Sequence, residues 1–258
     1  MSSLIIAFSM YSKIPMPKAE WNEKNMKYSM AFFPLIGLVI GVLFYYTFKL
    51  MIYLRLPAAF SAAILSILPV LISGGIHLDG FLDTADALCS YKSKEEKLEI
   101  LKDPHIGSFA LIYGAVYGLC FFAFMNIVTE VSVFFIASAF VLSRILSAIS
   151  VVSFPKAQKD GSLKRFSDTA DKKVFAILIS ELLIYMLVIF VGAAYFGHNL
   201  HICIKVVLAL SQAAVFLYYY KISLKNFGGI NGDQAGYFLC ICELVYIIVV
   251  CTGGYLWY

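Results

Sequence analysis

Long apolar runs separated by short polar stretches set the pattern of this chain. A helix needs roughly 20 apolar residues to cross a bilayer core. Seven runs approach that length, at about residues 30–53, 58–76, 109–129, 131–152, 174–196, 203–220 and 237–257. The second, third and fourth leave room for half-spans or re-entrant pieces. Pro34, Gly37 and Gly41 lie in the first run, and the Gly-x-x-x-Gly spacing permits close helix packing. Leu4–Tyr11 is apolar but too short to span, so it is predicted to lie in the membrane interface. Residues 90–102 read as a charged surface helix, 153–173 as a basic loop and 221–236 as the last loop. The N-terminus shows neither a basic leader nor a small-residue cleavage site, so no signal peptide is expected. The pattern predicts an all-α, polytopic membrane helical bundle with about seven transmembrane helices, forming one integral-membrane domain over residues 1–258.

Composition agrees. The chain is 61% hydrophobic and 14% charged, with a mean hydropathy of +0.85. Soluble domains average roughly 45–50% apolar and about 25% charged. The net charge is +4, and no basic patch interleaved with aromatics points to nucleic acid. The six cysteines include no Cys-x-x-Cys pair and sit mostly in apolar runs, where they serve as small packing residues. Residues 1–29, 77–108, 153–173 and 221–236 together hold 16 of the 20 Lys and Arg. The positive-inside rule places these segments, with the N-terminus, in the cytosol of a cell-membrane protein. The C-terminus then falls outside.

One of these segments carries the clearest chemistry. Asp79, Asp83 and Asp86 follow one another at i, i+4, i+7, so a helix projects all three from one face. Like charges so placed destabilise the helix unless cations offset them. A solvated acidic face is the ordinary meaning of such a run. Here, however, the acids directly follow an apolar segment, where carboxylates are costly and functional. Hard oxygen ligands at this density suit Mg²⁺ or Mn²⁺, which commonly bridge carboxylates to substrate phosphates.

Further candidates fall on the same face. His77 precedes the cluster by two residues and is a candidate for proton transfer, with a packed structural histidine as its plain alternative. Asp103 precedes Pro104, which keeps it out of the helical region and starts a turn. His105, Gly107 and Ser108 follow at the start of a span, where free N–H groups can cradle phosphate. Arg144 lies inside an apolar segment and needs an anionic partner, either a protein carboxylate or a phosphate. Gly228, Gly229 and Gly232 let backbone approach a ligand closely, and Asp233 adds a carboxylate. Glu243, inside the last span, should also have a partner.

These residues, taken in order, resemble the cobalamin synthase family of adenosylcobinamide-GDP ribazoletransferases. The resemblance runs nearly end to end. It includes Lys13-Ile14-Pro15-Met16-Pro17, Phe33-Pro34-Leu35-Ile36-Gly37, the block from Gly75 to Asp86, Lys102 to Phe109, Arg144, Gly228 to Gly236, and Glu243. His105 stands where the family usually has Arg, and Asn231 where it usually has Thr. The resemblance implies a transferase of substituted phosphate groups. It would join adenosylcobinamide-GDP to α-ribazole or its 5′-phosphate, releasing GMP, in the last assembly step of cobalamin biosynthesis. Mg²⁺ is the implied cofactor. The expected metal ligands are Asp79, Asp83, Asp86 and Asp233, and the expected catalytic residues are Asp83, His77 and Asp103. Arg144, His105, Gly107, Ser108, Gly228, Gly229 and Gly232 are expected to bind substrate. The expected partners are the two substrates and the lipid bilayer, with no nucleic acid; a homo-oligomer stays open.

Two other classes share an acidic motif in an apolar chain. A CDP-alcohol phosphotransferase would want Asp-Gly-x-x-Ala-Arg, whereas Asp79-Gly80 runs into Phe-Leu-Asp; a prenyltransferase would want two aspartate-rich repeats, and one is present. A cation transporter would place its acids near the bilayer midplane, whereas most acids here cluster at one surface.

Overall fold

A computed structural model describes residues 1–157, 162–192 and 202–257. The helices run α1 (Ser2–Tyr11), α2 (Glu23–Met26), α3 (Phe33–Tyr53), α4 (Ala58–Ser73), α5 (Ile76–Cys89), α6 (Lys94–Ile100), α7 (Ser108–Met125), α8 (Ser132–Ser153), α9 (Ser162–Thr169), α10 (Lys172–Leu187), α11 (Ile202–Phe227) and α12 (Gly232–Trp257). A 3₁₀ turn over Ser29–Phe32 leads into α3. No strand forms among the described residues; an isolated parallel bridge joins Lys156 and Ile230. Among the described residues six helices are long and apolar enough to cross a membrane, seven if the bent pair α4–α5 is counted as one broken span. The predicted helical bundle is therefore the observed one.

α8 sits at the centre and is buried on all sides along most of its length. Its apolar residues face every side, and its buried Ser143 and Arg144 find a partner in Glu243 within the bundle. It packs chiefly on α3, α12 and α10. Gly37 and Gly41 make the α3 contact: a Cβ on either would collide with the carbonyls of Phe140 and Ala137 on α8. The Gly-x-x-x-Gly spacing thus marks a true crossing of backbones.

Several expectations are corrected. The second predicted span, 58–76, stops at Ser73. Gly74 and Gly75 take left-handed conformations, with φ of 70° and 79°, and cap α4 through bonds to Leu71 and Val70. The chain then turns by 94° into α5. Glycine is needed here because a Cβ penalises positive φ. Leu4–Tyr11 does form a helix, and its Ile6, Ala7 and Phe8 are buried in the bundle core. The basic stretch contains α9, and its residues 158–161 lie outside the described residues. The loop read over 221–236 shrinks to 228–231, because α11 continues to Phe227 and α12 begins at Gly232. α10 ends at Leu187 and a π turn follows over Val188–Gly192. Residues 193–196 of that predicted span lie outside the described residues.

The charged surface helix is confirmed as α6. Its start is a capping box: Ser93 Oγ accepts from Glu96 N at 3.3 Å, and Glu96 Oε2 accepts from Ser93 N at 3.0 Å.

Candidate active site

The acidic cluster owes its geometry to two helices. α5 buries His77, Gly80, Phe81, Thr84 and Ala87 on one side. Asp79 is exposed, and Asp83 and Asp86 are partly so. The buried side packs against the start of α12, and glycines set the spacing. A Cβ on Gly80 would stand 2.8 Å from Asp233 Cα, and one on Gly236 would stand 2.8 Å from the His77 carbonyl oxygen. Phe81 stacks on Tyr237 with ring centroids 5.5 Å apart. The Cys240 thiol donates to the His77 carbonyl at 3.5 Å.

This contact carries Asp233 to the other three acids. Asp83 lies within electrostatic reach of Asp79, Asp86 and Asp233, and Asp233 within reach of Asp79. Asn231 caps α12: its Oδ1 accepts from Gln234 N at 3.0 Å, while its Nδ2 donates to Asp233 Oδ2 at 3.3 Å. Among the described residues no Lys, Arg or His pairs with any of these four carboxylates. Four mutually repelling acids without a protein counter-charge fit divalent cations. Among the described residues no three His, Cys, Asp or Glu side chains form a ready-made metal cage. The four share a neighbourhood without closing on a point, which suits an ion that draws further ligands from substrate oxygens.

The turn before α7 docks on the same cluster. Asp103 Oδ1 accepts from the His105 backbone N–H at 3.0 Å and lies 2.6 Å from His105 Nδ1. Both side chains are exposed. These bonds hold the Asp103 carboxyl below the usual carboxylate range. Gly107 then meets Asp86 directly: its missing Cβ would fall on the Asp86 carboxylate. Gly107 also begins α7 without a side-chain cap, and Ser108 stands exposed beside it. The first N–H groups of α7 therefore lie next to Asp86 with no side-chain acceptor.

The glycine turn is strapped rather than loose. Gly228 ends α11 in a left-handed conformation, φ 76°. Ile230 N–H donates to Pro155 O at 2.8 Å, and Ala157 N–H donates to Ile230 O at 2.9 Å. A Cβ on Gly229 would collide with the backbone of residues 155–157, so this glycine serves the strap. At Gly228 and Gly232 the position of a side chain is open space. Burial lowers the pKa of Lys156, in the strap, and its ammonium donates to the Phe154 carbonyl.

Two expected site residues lie inside the bundle. Arg144 is buried and its guanidinium pairs with Glu243 on α12; Ser143 Oγ accepts from Arg144 at 2.9 Å and donates to Glu243 at 2.9 Å. Of the two partners left open by the sequence, the structure supplies the carboxylate. His77 is buried between Tyr11, stacked at 6.1 Å, and Phe33, at 5.8 Å, with Nε2 unpartnered. The structure thus brings together Asp79, Asp83, Asp86, Asp233, Gly107 and Ser108, with Asp103 and His105 on the adjoining turn. Reasoning from the sequence missed Gly80, Gly236 and the Pro155–Ala157 strap. The signal for the first two was small residues facing each other across α5 and α12, which are distant in sequence.

Comparison with known proteins gives the context. The family model described as cobalamin-5-phosphate synthase matches residues 3–251. A protein of Lachnoclostridium phytofermentans named adenosylcobinamide-GDP ribazoletransferase is 45% identical over 245 residues, covering 95% of this chain and 91% of its own length. A Clostridium perfringens protein of the same name is 35% identical over 247 residues, covering 95% of each chain. One from Fusobacterium nucleatum is 28% identical over 270 residues, covering 96% of each. No solved structure matches the chain. The match over almost the full length, joined to a helical bundle with an acid cluster at one end, makes this chain an enzyme of the cobalamin-5-phosphate synthase family, a transferase of cobalamin synthesis.

Proposed function

We propose that this enzyme joins adenosylcobinamide-GDP to α-ribazole, or to its 5′-phosphate, and releases GMP. The observation that carries the reading is the convergence of Asp79, Asp83, Asp86 and Asp233 with no Lys, Arg or His paired to them among the described residues. The relatives' printed name supports the donor substrate. A ribose hydroxyl oxygen attacks the phosphorus attached to cobinamide. A new O–P bond forms, and the P–O bond to GMP breaks with its electron pair going to the GMP phosphate. The hydroxyl proton passes to Asp103, which His105 keeps ionised. When bound, Mg²⁺ neutralises charge on the diphosphate and orients it for in-line displacement. Asp79, Asp83, Asp86 and Asp233 would hold it. The N–H groups at Gly107 and Ser108, and the open backbone at Gly228 and Gly232, approach phosphate oxygens. Arg144 supports the bundle from within, through Glu243. The site faces the cytosol of the cell membrane, as the clustering of Lys and Arg at this end supports.

The test is GMP release by the protein in lipid nanodiscs, supplied with both substrates. Release should require Mg²⁺, and Asp83→Asn should lower turnover by about 10²–10³-fold, with unchanged thermal unfolding. Release that persists in chelator, or an Asp83→Asn variant as fast as wild type, would overturn the reading.

A further inference from the structure

The N-terminal segment reaches the helix that carries the acids. Lys13 donates its backbone N–H to the Ile72 carbonyl at 2.8 Å, in the last turn of α4. Tyr11, two residues earlier, stacks on His77 in the first turn of α5. Between these anchors the Lys13 side chain lies across Gly74. A Cβ on Gly74 would stand 2.7 Å from Lys13 Cγ and 2.9 Å from Cδ. Gly74 is therefore both the left-handed cap of α4 and the shelf that holds the lysine stem. At the next residue, Gly75, the place of a side chain is open space. Lys13 is exposed, and among the described residues no carboxylate pairs with it. Its stem ends over Gly74, at the junction of α4 with α5, the helix that carries Asp79.

We propose that Lys13 is a substrate-binding residue whose ammonium takes a phosphate oxygen of the diphosphate. This rests on the function proposed above. Four carboxylates and their cations grip one side of a diphosphate. A departing nucleoside monophosphate gathers negative charge, and a cation placed near it stabilises that charge. Lysine suits this role as a compact point charge with three donors. Holding the stem against Gly74 reduces the rotamer freedom lost on binding. A lipid phosphate would offer the same oxygen chemistry, and the experiment separates the two sources.

The variants are Lys13→Met, which keeps the stem over Gly74 and drops the charge, and Lys13→Arg, which keeps the charge. Calorimetry with inorganic pyrophosphate, with and without Mg²⁺, reads binding without turnover. In nanodiscs of phosphatidylcholine, Lys13→Met should weaken pyrophosphate binding about ten- to a hundredfold. It should raise KM for adenosylcobinamide-GDP by a similar factor and leave thermal unfolding unchanged. Lys13→Arg should bind close to wild type. Pyrophosphate binding by Lys13→Met equal to wild type overturns the proposal. So does a wild type that binds no pyrophosphate, or an effect that appears only in anionic phosphatidylglycerol discs. Failure of the proposed function reads differently: wild type would bind pyrophosphate more tightly than Lys13→Met yet release no GMP.

Discussion

At the scale of single residues, Gly107 leaves the room that the Asp86 carboxylate occupies. Gly107 has an ordinary φ of −84°, so alanine there carries no backbone penalty. Its Cβ would nevertheless land on the Asp86 carboxylate. Gly107→Ala should therefore displace Asp86 and cost about 10²-fold in turnover, with a higher Mg²⁺ concentration for half-activation and little change in thermal unfolding. A Mg²⁺ titration of GMP release checks it; an unshifted midpoint would mean that Asp86 stands apart from the metal. Asp103 gives a pH prediction with a definite sign. His105 holds its carboxyl below the ordinary value of about 3.9. What ionised Asp103 contributes is therefore present above that value and lost only as pH falls through the lowered one. Asp103→Asn should slow turnover by about 10²–10⁴-fold evenly between pH 5 and 8, where Asp103 does not titrate. A kcat profile for Asp103→Asn that converged on wild type within that range would contradict this. The sequence made the stripe of Asp79, Asp83 and Asp86 legible, because i, i+4, i+7 on a helix has one geometric meaning. It could not pair Arg144 with Glu243, whose partnership depends on where two helices cross.

At the scale of elements, apolar run length announced the spans, and glycine and proline announced most of their ends. The errors share a cause. Lys221, Lys225 and Asn226 look like loop by their polarity, yet they belong to the last turns of α11. Polarity marks where a helix leaves the apolar layer, not where it stops; the stop is Gly228. Likewise α9 is strongly polar outside, so no apolar run betrays it. The α5–α12 contact tests how far element packing governs the site. Gly236→Ala would place a Cβ 2.8 Å from the His77 carbonyl oxygen, a backbone atom that cannot swing aside. Overpacking of this kind costs about 1–3 kcal/mol. The variant should unfold at lower temperature and also lose Mg²⁺ affinity, because the displaced α12 carries Asp233 away from Asp79. Mn²⁺ binding followed by electron paramagnetic resonance, alongside a thermal melt, would read both. Lowered stability with wild-type Mn²⁺ affinity would detach Asp233 from the site.

At the scale of the whole molecule, the two ends of the bundle differ in character. One end gathers the acid cluster, the Asp103 turn, the strapped glycines and Lys13. The other has the Lys49–Glu130 ion pair at 2.5 Å, which ties the end of α3 to the turn between α7 and α8. Charge clustering reads the first end as cytosolic, since a cation on a short loop is costly to translocate. The proposed GDP-linked substrate calls for the same side, since the cytosol supplies soluble nucleotide. Both arguments are tested by one labelling experiment, in a background where the exposed Cys203 is replaced by Ser. Lys94→Cys sits at the exposed start of α6, beside the acid cluster; Leu54→Cys sits in the exposed turn after α3, at the opposite end. A membrane-impermeant maleimide applied to intact cells should modify Leu54→Cys alone, and lysis should expose Lys94→Cys. The reverse pattern would put the carboxylates outside, away from nucleotide. The orientation and the proposed donor substrate would then fall together, while the family membership and the bundle would stand.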